Sequence, residues 1–191
     1  KYYSIDTYKP SIARECIKNG FNMINDIMGG GKNGEMLHIA ADYNCPIVIM
    51  HMQGVPSTMQ NTTHYVNVID HLKRFFESKI SFAYKIGLQS KQIIIDPGIG
   101  FGKSIADNDF IINNINKLKI FNLPIMIGLS RKSFLSLNYD KPKDRLATSL
   151  ALTGIAVQNG ADIIRTHDVN DTHKMFTILN RLYKNLNLNK L

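Results

Sequence analysis

The fold is decided by one stretch, Asp96-Pro97-Gly98-Ile99-Gly100-Phe101-Gly102-Lys103, which follows the apolar run Ile93-Ile94-Ile95. An apolar run that ends at Asp-Pro-Gly predicts a buried β-strand followed by a turn. The Asp96 carboxylate would then lie at the C-terminal end of that strand. The glycines lack a Cβ, so the backbone after the strand is free to turn sharply and to approach a bound molecule. The stretch is either an ordinary turn or a binding loop, and the other strand ends decide between these interpretations.

An apolar run followed by polar residues and a helical pattern recurs along the chain. The apolar runs cover residues 2–5, 21–24, 46–50, 93–95, 123–127 and 161–164. Such βα repeats predict a parallel sheet with right-handed crossover helices. Polar side chains follow the predicted strands at their C-terminal ends, namely Asp6, Asn25, His51, Asp96, Lys132, Arg165 and His167. Because the ends of parallel barrel strands meet on one side, these residues are expected around one opening.

This alternation favours a (β/α)8 TIM barrel, whose active site is built from the loops after the strands. A doubly wound open sheet is the alternative. It usually places its ligand at one switch point, whereas here every strand contributes polar residues. A complete barrel has eight strands, and this sequence supplies about six βα units. We therefore expect residues 1–191 to be a single barrel domain that is N-terminally incomplete, lacking its first two βα units.

The composition is typical of a globular protein rather than of a nucleic-acid or membrane protein. The chain has 191 residues, 44% hydrophobic content and a formal net charge of +8, which suffices for one domain with a core. The basic residues are scattered, so neither nucleic acid nor a membrane is an expected partner. No apolar run approaches the length of a membrane span. Cys16 and Cys45 lack the spacing of a disulfide framework or a zinc site, which favours a reducing, cytoplasmic location.

Two carboxylates and one amide among the strand-end residues suggest a polar heterocyclic ligand. Taken singly, Asp6 and Asn25 would each serve as a helix cap. Taken together with Asp96, they offer acceptors and donors to a flat ring that carries adjacent N–H and amino groups. A carboxylate pairs with such a guanidine-like edge through two hydrogen bonds. Charge-assisted bonds of this kind are worth roughly 1.5–3 kcal/mol each.

Three cationic residues suggest an anionic group on the same ligand. Arg165 and His167 are two residues apart on one extended segment, so their side chains would point to the same side and clamp a phosphate or pyrophosphate oxygen. Lys132 adds a cation at the same rim. The alternative for Arg165 is a surface ion pair with Asp168. Cations that stabilise a leaving group promote a displacement at carbon without a covalent enzyme intermediate. Ser130 has no evident histidine–carboxylate relay, so triad catalysis is not expected.

Six motifs, in this order along the chain, resemble the dihydropteroate synthase family. They lie at residues 4–7 (Ser-Ile-Asp-Thr), 24–26 (Ile-Asn-Asp), 50–54 (Met-His-Met-Gln-Gly), 96–103, 128–133 (Gly-Leu-Ser-Arg-Lys-Ser) and 164–169 (Ile-Arg-Thr-His-Asp-Val). The resemblance covers nearly the whole chain. It implies a transferase of folate biosynthesis that joins 6-hydroxymethyl-7,8-dihydropterin pyrophosphate to p-aminobenzoate, releasing pyrophosphate and forming dihydropteroate.

The resemblance also implies a role for each matching residue. The pterin would be held by Asp6, Asn25, Asp96 and Lys132, in a slot lined by Ile27, Met50 and Gly128. Pyrophosphate would be bound by Arg165 and His167, and p-aminobenzoate by Phe101, Lys132 and Ser133. Lys132, Arg165 and His167 would be the catalytic residues. In the mechanism that the resemblance implies, pyrophosphate leaves and the arylamine attacks the electron-poor methylene group.

The family further implies Mg²⁺, a homodimer, and sulfonamide inhibitors that compete with p-aminobenzoate. Its magnesium-binding Asn segment is not found in these residues, so no metal ligand is assigned in this chain. Two other functions stay open. One is a non-catalytic pterin-binding fragment. The other is a folate-dependent barrel that passes a methyl group to a corrinoid, and it has no need for the Ser-Arg-Lys-Ser and Arg-x-His motifs.

Overall fold

The computed structural model describes residues 3–31, 33–54, 64–136 and 141–185. Within them, strands and helices alternate along the chain. The strands are β1 (Ser4–Asp6), β2 (Met23–Asp26), β3 (Ile47–Met50), β4 (Ile93–Asp96), β5 (Met126–Gly128) and β6 (Ile163–Arg165). The α-helices are α1 (Pro10–Lys18), α2 (Glu35–Asp42), α3 (Val68–Lys85), α4 (Ile105–Asn113), α5 (Leu146–Gln158) and α6 (Val169–Asn185). The predicted βα repeat is confirmed.

The strands pair in parallel and follow chain order. Strands β1 to β4 form one sheet, and β5 pairs with β6. A parallel bridge between Ile95 and Ile125 joins the two groups. Within the described residues, no strand pairing connects β6 back to β1. The predicted TIM barrel is therefore confirmed as a partial barrel that runs from β1 to β6.

The main hydrophobic core lies between the sheet and the helices that cover its outer face. Its largest fully buried side chains include Met36 of α2 and Leu72 and Phe76 of α3. Burying one such side chain contributes roughly 1.5–3 kcal/mol. Side chains alternate along a strand, so Val48, Ile94 and Met126 face the barrel interior, where they form a second, smaller cluster.

The segment after β4, residues 97–103, is called the glycine loop, and it is fixed at both of its ends. Ser104 caps α4, because its hydroxyl accepts from the Asp107 backbone N–H at 3.1 Å while the Asp107 carboxylate accepts from Ser104 N at 3.1 Å. Gly98 has a φ of +68°, and a Cβ there would lie 1.9 Å from the His51 carbonyl oxygen. Only glycine fits at this position. The loop therefore packs directly against the end of β3.

The two cysteines lie away from the C-terminal ends of the strands. Cys16 is half-buried in α1, Cys45 is buried just before β3, and both are free thiols. Burial raises the pKa of the Cys45 thiol, which keeps it protonated at neutral pH. In the described part of the chain, no helix is both long enough and apolar enough to cross a membrane.

Candidate active site

A cavity of about 310 Å³ opens at the C-terminal ends of the strands. It is lined by Asp6, Asn25, Ile27, Met50, Asp96, Phe101, Gly128, Ser130, Lys132, Arg165 and His167. Every residue that the sequence assigned to a ligand lines this cavity, with the exception of Ser133. Residues that are far apart in the chain meet here because the strands are parallel and end on the same side of the barrel.

Asp96 and Asn25 are the buried polar residues of the cavity, with exposed fractions of 7% and 8%. The Asp96 Oδ1 atom accepts a hydrogen bond of 2.7 Å from the Gly98 backbone N–H. Burial raises the pKa of the Asp96 carboxyl, and the nearby Lys132 ammonium opposes that rise. The first turn of the glycine loop thus orients the carboxylate, and each carboxylate oxygen keeps a lone pair for a ligand.

Lys132 connects the loop after β5 with the glycine loop. Its Nζ donates to the Ile99 carbonyl oxygen and lies 4.5 Å from the centre of the Phe101 ring, a cation–π contact. Burial lowers the pKa of Lys132 to about 8, with Asp96 acting in the opposite direction. A Cβ on Gly100 would lie 3.1 Å from Lys132 Cδ, so this glycine leaves room for the lysine stem.

Lys103, the last residue of the glycine loop, binds the backbone of the loop from its buried side. Its side chain is buried, and its Nζ lies 2.9 Å from the carbonyl oxygens of both Gly98 and Phe101 and 3.0 Å from His51 Nδ1. Burial lowers the pKa of Lys103 to about 7. Burial also lowers the pKa of His51 to about 2. His51, expected at the opening, is instead a buried partner of Lys103 and does not line the cavity.

Asp6 and Arg165 face each other across the gap between β1 and β6. Arg165 Nη2 lies 2.7 Å from Asp6 Oδ2, and the two side chains are 51% and 47% exposed. The alternative expectation, an ion pair between Arg165 and Asp168, is wrong, because Asp168 pairs with Arg131 at 2.5 Å. Asp6, which was predicted to bind the pterin, thus contacts Arg165, which was predicted to bind pyrophosphate.

Ser130 lines the cavity although no ligand role was assigned to it. Its Oγ lies 3.1 Å from His167 Nδ1 and 3.2 Å from Asp168 Oδ2. These residues do not form a nucleophilic triad, because the carboxylate contacts the serine rather than the histidine. The sequence signal that could have identified Ser130 is its position in the loop after β5, two residues before Lys132.

Ser133 lies beside the cavity rather than in it. It lines a neighbouring cavity of about 320 Å³ together with Gly100, Lys103, Ser104, Ile105, Asn108 and Phe134. The glycine loop separates the two cavities, since Phe101 lines the first and Gly100 the second. Ser133 was expected beside Phe101 and Lys132 in the p-aminobenzoate pocket, whereas the turn at residues 133–135 directs it to the far side of the glycine loop.

The expected Mg²⁺ has no preformed cluster of protein ligands among the described residues. Across residues 3–31, 33–54, 64–136 and 141–185, no group of three or more His, Cys, Asp or Glu side chains is arranged to hold a metal ion. The Asp6 carboxylate is paired with Arg165 instead. This part of the chain therefore offers no protein cage for Mg²⁺, whose binding stays a prediction.

A protein-family model described as "Pterin binding enzyme" matches residues 2–167. The chain belongs to this family. The matched segment begins two residues before β1 and ends two residues after β6, so it contains every strand end that lines the cavity. Family membership therefore rests on the same part of the chain as the site.

Two curated relatives of the pterin binding enzyme family are named dihydropteroate synthase. The protein from Escherichia coli (strain K12) is 40% identical over 173 residues, which is 90% of this chain and 61% of the relative. The protein from Synechocystis sp. is 37% identical over 183 residues, which is 95% of this chain and 63% of the relative. The chain thus spans about three fifths of the length of these relatives.

Solved structures of the family are similar in fold. The dihydropteroate synthase of Stenotrophomonas maltophilia, with imidazole in its active site, superposes with a TM-score of 0.91 at 38% identity, covering 95% of this chain and 69% of that one. The enzyme from Xanthomonas albilineans was solved with 4-aminobenzoic acid (TM-score 0.87, 34% identity, 95% and 64% covered). The enzyme from Yersinia pestis was solved with a sulfonamide drug. Its TM-score is 0.91 at 35% identity, with 96% of this chain and 66% of that one covered.

Proposed function

We propose that this chain performs the dihydropteroate synthase reaction, in which p-aminobenzoate displaces pyrophosphate from 6-hydroxymethyl-7,8-dihydropterin pyrophosphate. The observation that carries the proposal is the composition of the cavity. It combines a buried carboxylate and amide with a lysine, an arginine and a histidine. Such a set suits a ligand with a guanidine-like edge and an anionic tail. Membership in the pterin binding enzyme family supports the same reaction.

The buried side of the cavity would bind the pterin ring. Asp96 accepts two hydrogen bonds from the ring N–H and the amino group, and the Asn25 amide supplies one donor and one acceptor. Lys132 donates to an acceptor atom of the ring. Ile27 and Met50 enclose its flat faces. Hydrogen bonds in this buried setting are stronger than at the surface, because the local dielectric constant is low.

The exposed side of the cavity would bind the leaving group. The bond between the methylene carbon and the pyrophosphate oxygen breaks, and its electron pair leaves on that oxygen. The amine nitrogen of p-aminobenzoate forms the new C–N bond and releases one proton to solvent. Arg165 and His167 stabilise the charge that develops on pyrophosphate, for which Arg165 gives up its ion pair with Asp6. The rest of the catalysis is positional, since the two substrates are held in contact.

The second substrate would lie against the Phe101 ring. The Lys132 Nζ atom lies 4.5 Å from the centre of the Phe101 ring, so in this proposal an aromatic face and a cation would lie beside the reacting methylene carbon. Ser133 lies on the other side of the glycine loop, so it would reach the substrate carboxylate only at the rim. We propose that sulfonamides compete with p-aminobenzoate at this place. The complexes of the Xanthomonas and Yersinia enzymes support this assignment.

A homodimer and a cytoplasmic location are further parts of this proposal. The homodimer comes from the resemblance to the family, and the location comes from two cysteines that lack the spacing of a disulfide framework. Mg²⁺ belongs to the proposal as well, and when bound it would neutralise part of the pyrophosphate charge. None of the described side chains is assigned as its ligand.

A pterin-binding chain without synthase activity is the second candidate. The observation that favours it is length, since the chain spans only 61–63% of the curated relatives. It differs from the first candidate in one property, the transfer to p-aminobenzoate. The corrinoid methyltransferase is not better supported, because the solved structures with high similarity are dihydropteroate synthases.

The test is dihydropteroate formation by the full-length protein from the pterin pyrophosphate and p-aminobenzoate, with Mg²⁺ present. We expect product above background and inhibition by a sulfonamide that p-aminobenzoate relieves. Folded protein that binds the pterin pyrophosphate but forms no product would favour the second candidate. Folded protein that binds neither substrate would contradict both.

A further inference from the structure

Hydrogen bonds behind the cavity tie the loop after β5 to the loop after β6. The Ser130 Oγ lies 3.2 Å from Asp168 Oδ2, 3.1 Å from His167 Nδ1 and 3.2 Å from the His167 backbone nitrogen. Asp168 is held in turn by Arg131, through Nη2–Oδ1 and Nε–Oδ2 distances of 2.5 and 3.2 Å. The proposed reaction assigns no role to Ser130, Arg131 or Asp168.

The chemistry of the Ser130 hydroxyl determines which way these hydrogen bonds run. A serine hydroxyl has one donor and two acceptor sites. The hydrogen bond from Arg131 lowers the pKa of the Asp168 carboxyl, so Asp168 is ionised at neutral pH and can only accept. The Ser130 O–H therefore donates to Asp168. Its two acceptor sites remain for the His167 backbone N–H and for His167 Nδ1, which must then carry a proton.

We propose that Ser130 is a positioning residue that holds His167 in its Nδ1-protonated form and leaves Nε2 available to a ligand in the cavity. In a neutral imidazole one ring nitrogen donates and the other accepts, while in the protonated ring both donate. With the Nδ1 proton held by Ser130, the nitrogen that faces the ligand is Nε2. That the ligand is a pyrophosphate oxygen rests on the proposed function, whereas the tautomer does not. An anionic oxygen needs a donor, so it would be bound by the doubly protonated ring, in which Nδ1–H still donates to Ser130 and Nε2–H donates to the ligand.

The backbone at Arg131 supports this role. Arg131 has a φ of +61°, a left-handed conformation that side chains other than glycine rarely adopt. Neighbouring groups hold it there, since the Ser149 Oγ accepts from Arg131 N at 3.2 Å and Arg145 Nη1 donates to the Arg131 carbonyl at 3.0 Å. Such strain persists where the surroundings enforce it, and it concentrates at functional sites. Here it directs the guanidinium of Arg131 onto Asp168.

The opposite end of the same two strands offers a matched control. Asp162 lies just before β6 and pairs with Lys119 at 2.5 Å. Its carboxylate also accepts a hydrogen bond of 2.7 Å from the backbone N–H of Ile125, which lies just before β5. The hydrogen bond between Ile125 and Asp162 also links the chain before β5 to the chain before β6, but none of these residues lines the candidate active site. Asp162→Asn therefore disturbs a comparable contact without affecting His167.

The ¹⁵N NMR spectrum of the histidine rings tests the tautomer directly, with His167→Gln used to assign the signal. We expect neutral His167 in the wild-type protein to be protonated on Nδ1, and Ser130→Ala to shift the population toward protonation on Nε2. Ser130→Thr keeps the hydroxyl and is expected to restore the wild-type spectrum. A wild-type His167 protonated on Nε2, or an unchanged spectrum in Ser130→Ala, overturns the proposal.

Binding of inorganic pyrophosphate, measured by titration calorimetry, is the second readout. Ser130→Ala and Asp168→Asn are expected to weaken it about fivefold, as for loss of one hydrogen bond to the anion site. Asp162→Asn is expected to bind as wild type does. Equal affinity in all four proteins overturns the positioning role. If the wild-type protein binds no pyrophosphate, the proposed function fails, while the NMR result still decides the role of Ser130.

Discussion

The two sides of the cavity differ in how deeply their strands are buried. Every residue of β3 and β4 is buried, whereas β1 and β6 are exposed or only half-buried. The buried side supplies Asp96 and the lysines that approach it, and burial shifts the pKa values of all of them. The exposed side supplies the Asp6–Arg165 ion pair, which is about half in contact with solvent.

This difference separates two tasks that a transferase site must perform. A buried carboxylate binds a neutral heterocycle strongly, because few water molecules compete for its hydrogen bonds. An exposed ion pair is worth only about 0–1 kcal/mol, so a ligand can replace one of its partners at small cost. Under the proposed function, the buried side would therefore suit tight binding of the pterin, and the exposed side would suit capture and release of pyrophosphate.

The largest effect is expected from Asp96→Asn. The variant keeps an oxygen for the Gly98 N–H, which is bonded at 2.7 Å, but it loses the charge that pairs with the pterin. Pterin affinity, measured by titration calorimetry, is expected to fall about 100-fold, with little loss of fold. The matched change on the exposed side, Asp6→Asn, is expected to cost only about threefold. An equal loss in both variants would remove the distinction between the two sides.

The second-largest effect is expected from Lys103→Met, on the free energy of unfolding of the protein. Lys103→Met removes the amine nitrogen that contacts the Gly98 and Phe101 carbonyl oxygens and His51, and it is expected to lower the free energy of unfolding by about 2 kcal/mol at pH 9. The folded pKa of about 7 lies below the ordinary value of 10.5. Between these values the unfolded chain binds more protons, so the wild-type stability rises with pH.

The advantage of the wild type over Lys103→Met should therefore shrink as the pH falls from 9 toward about 7, and level off below it. Urea denaturation at pH 6 and pH 9 measures this difference in the free energy of unfolding. Lys91→Met, an exposed lysine just before the start of β4, is the control and should leave stability unchanged at both values. A difference that does not vary with pH would contradict the burial of a titrating Lys103.

The smallest effect is expected from Arg165→Ala on the exposed side. Pyrophosphate affinity should fall about tenfold and pterin affinity less, because only the charge-assisted bonds to the anion are lost. Unfolding stability should change by no more than about 1 kcal/mol. Arg14→Ala breaks a comparable exposed pair with Asp42 at 3.7 Å and should leave both affinities unchanged. Loss of fold in Arg165→Ala would show that the ion pair closes the gap between β1 and β6.

Most of the site was predictable because the end of a buried strand can be recognised in a sequence, where an apolar run gives way to polar residues. Short apolar runs followed by polar residues located β1 to β6, and parallel pairing then required Asp6, Asn25, Asp96, Lys132, Arg165 and His167 to meet. The partners of these side chains were not predictable. Asp168 lies close to Arg165 in the chain, yet it binds Arg131, because a left-handed turn redirects that arginine.

The sequence by itself determined the order of the strands, the family and the chemical types of group at the opening. These follow from local patterns, since hydrophobic period and turn residues act over a few positions. Only the tertiary structure decided that Lys103 anchors the glycine loop from below, that Ser133 lies behind that loop and that Ser130 contacts His167. Such contacts depend on burial and on distances between separate loops, and the spacing of residues along a chain does not specify either.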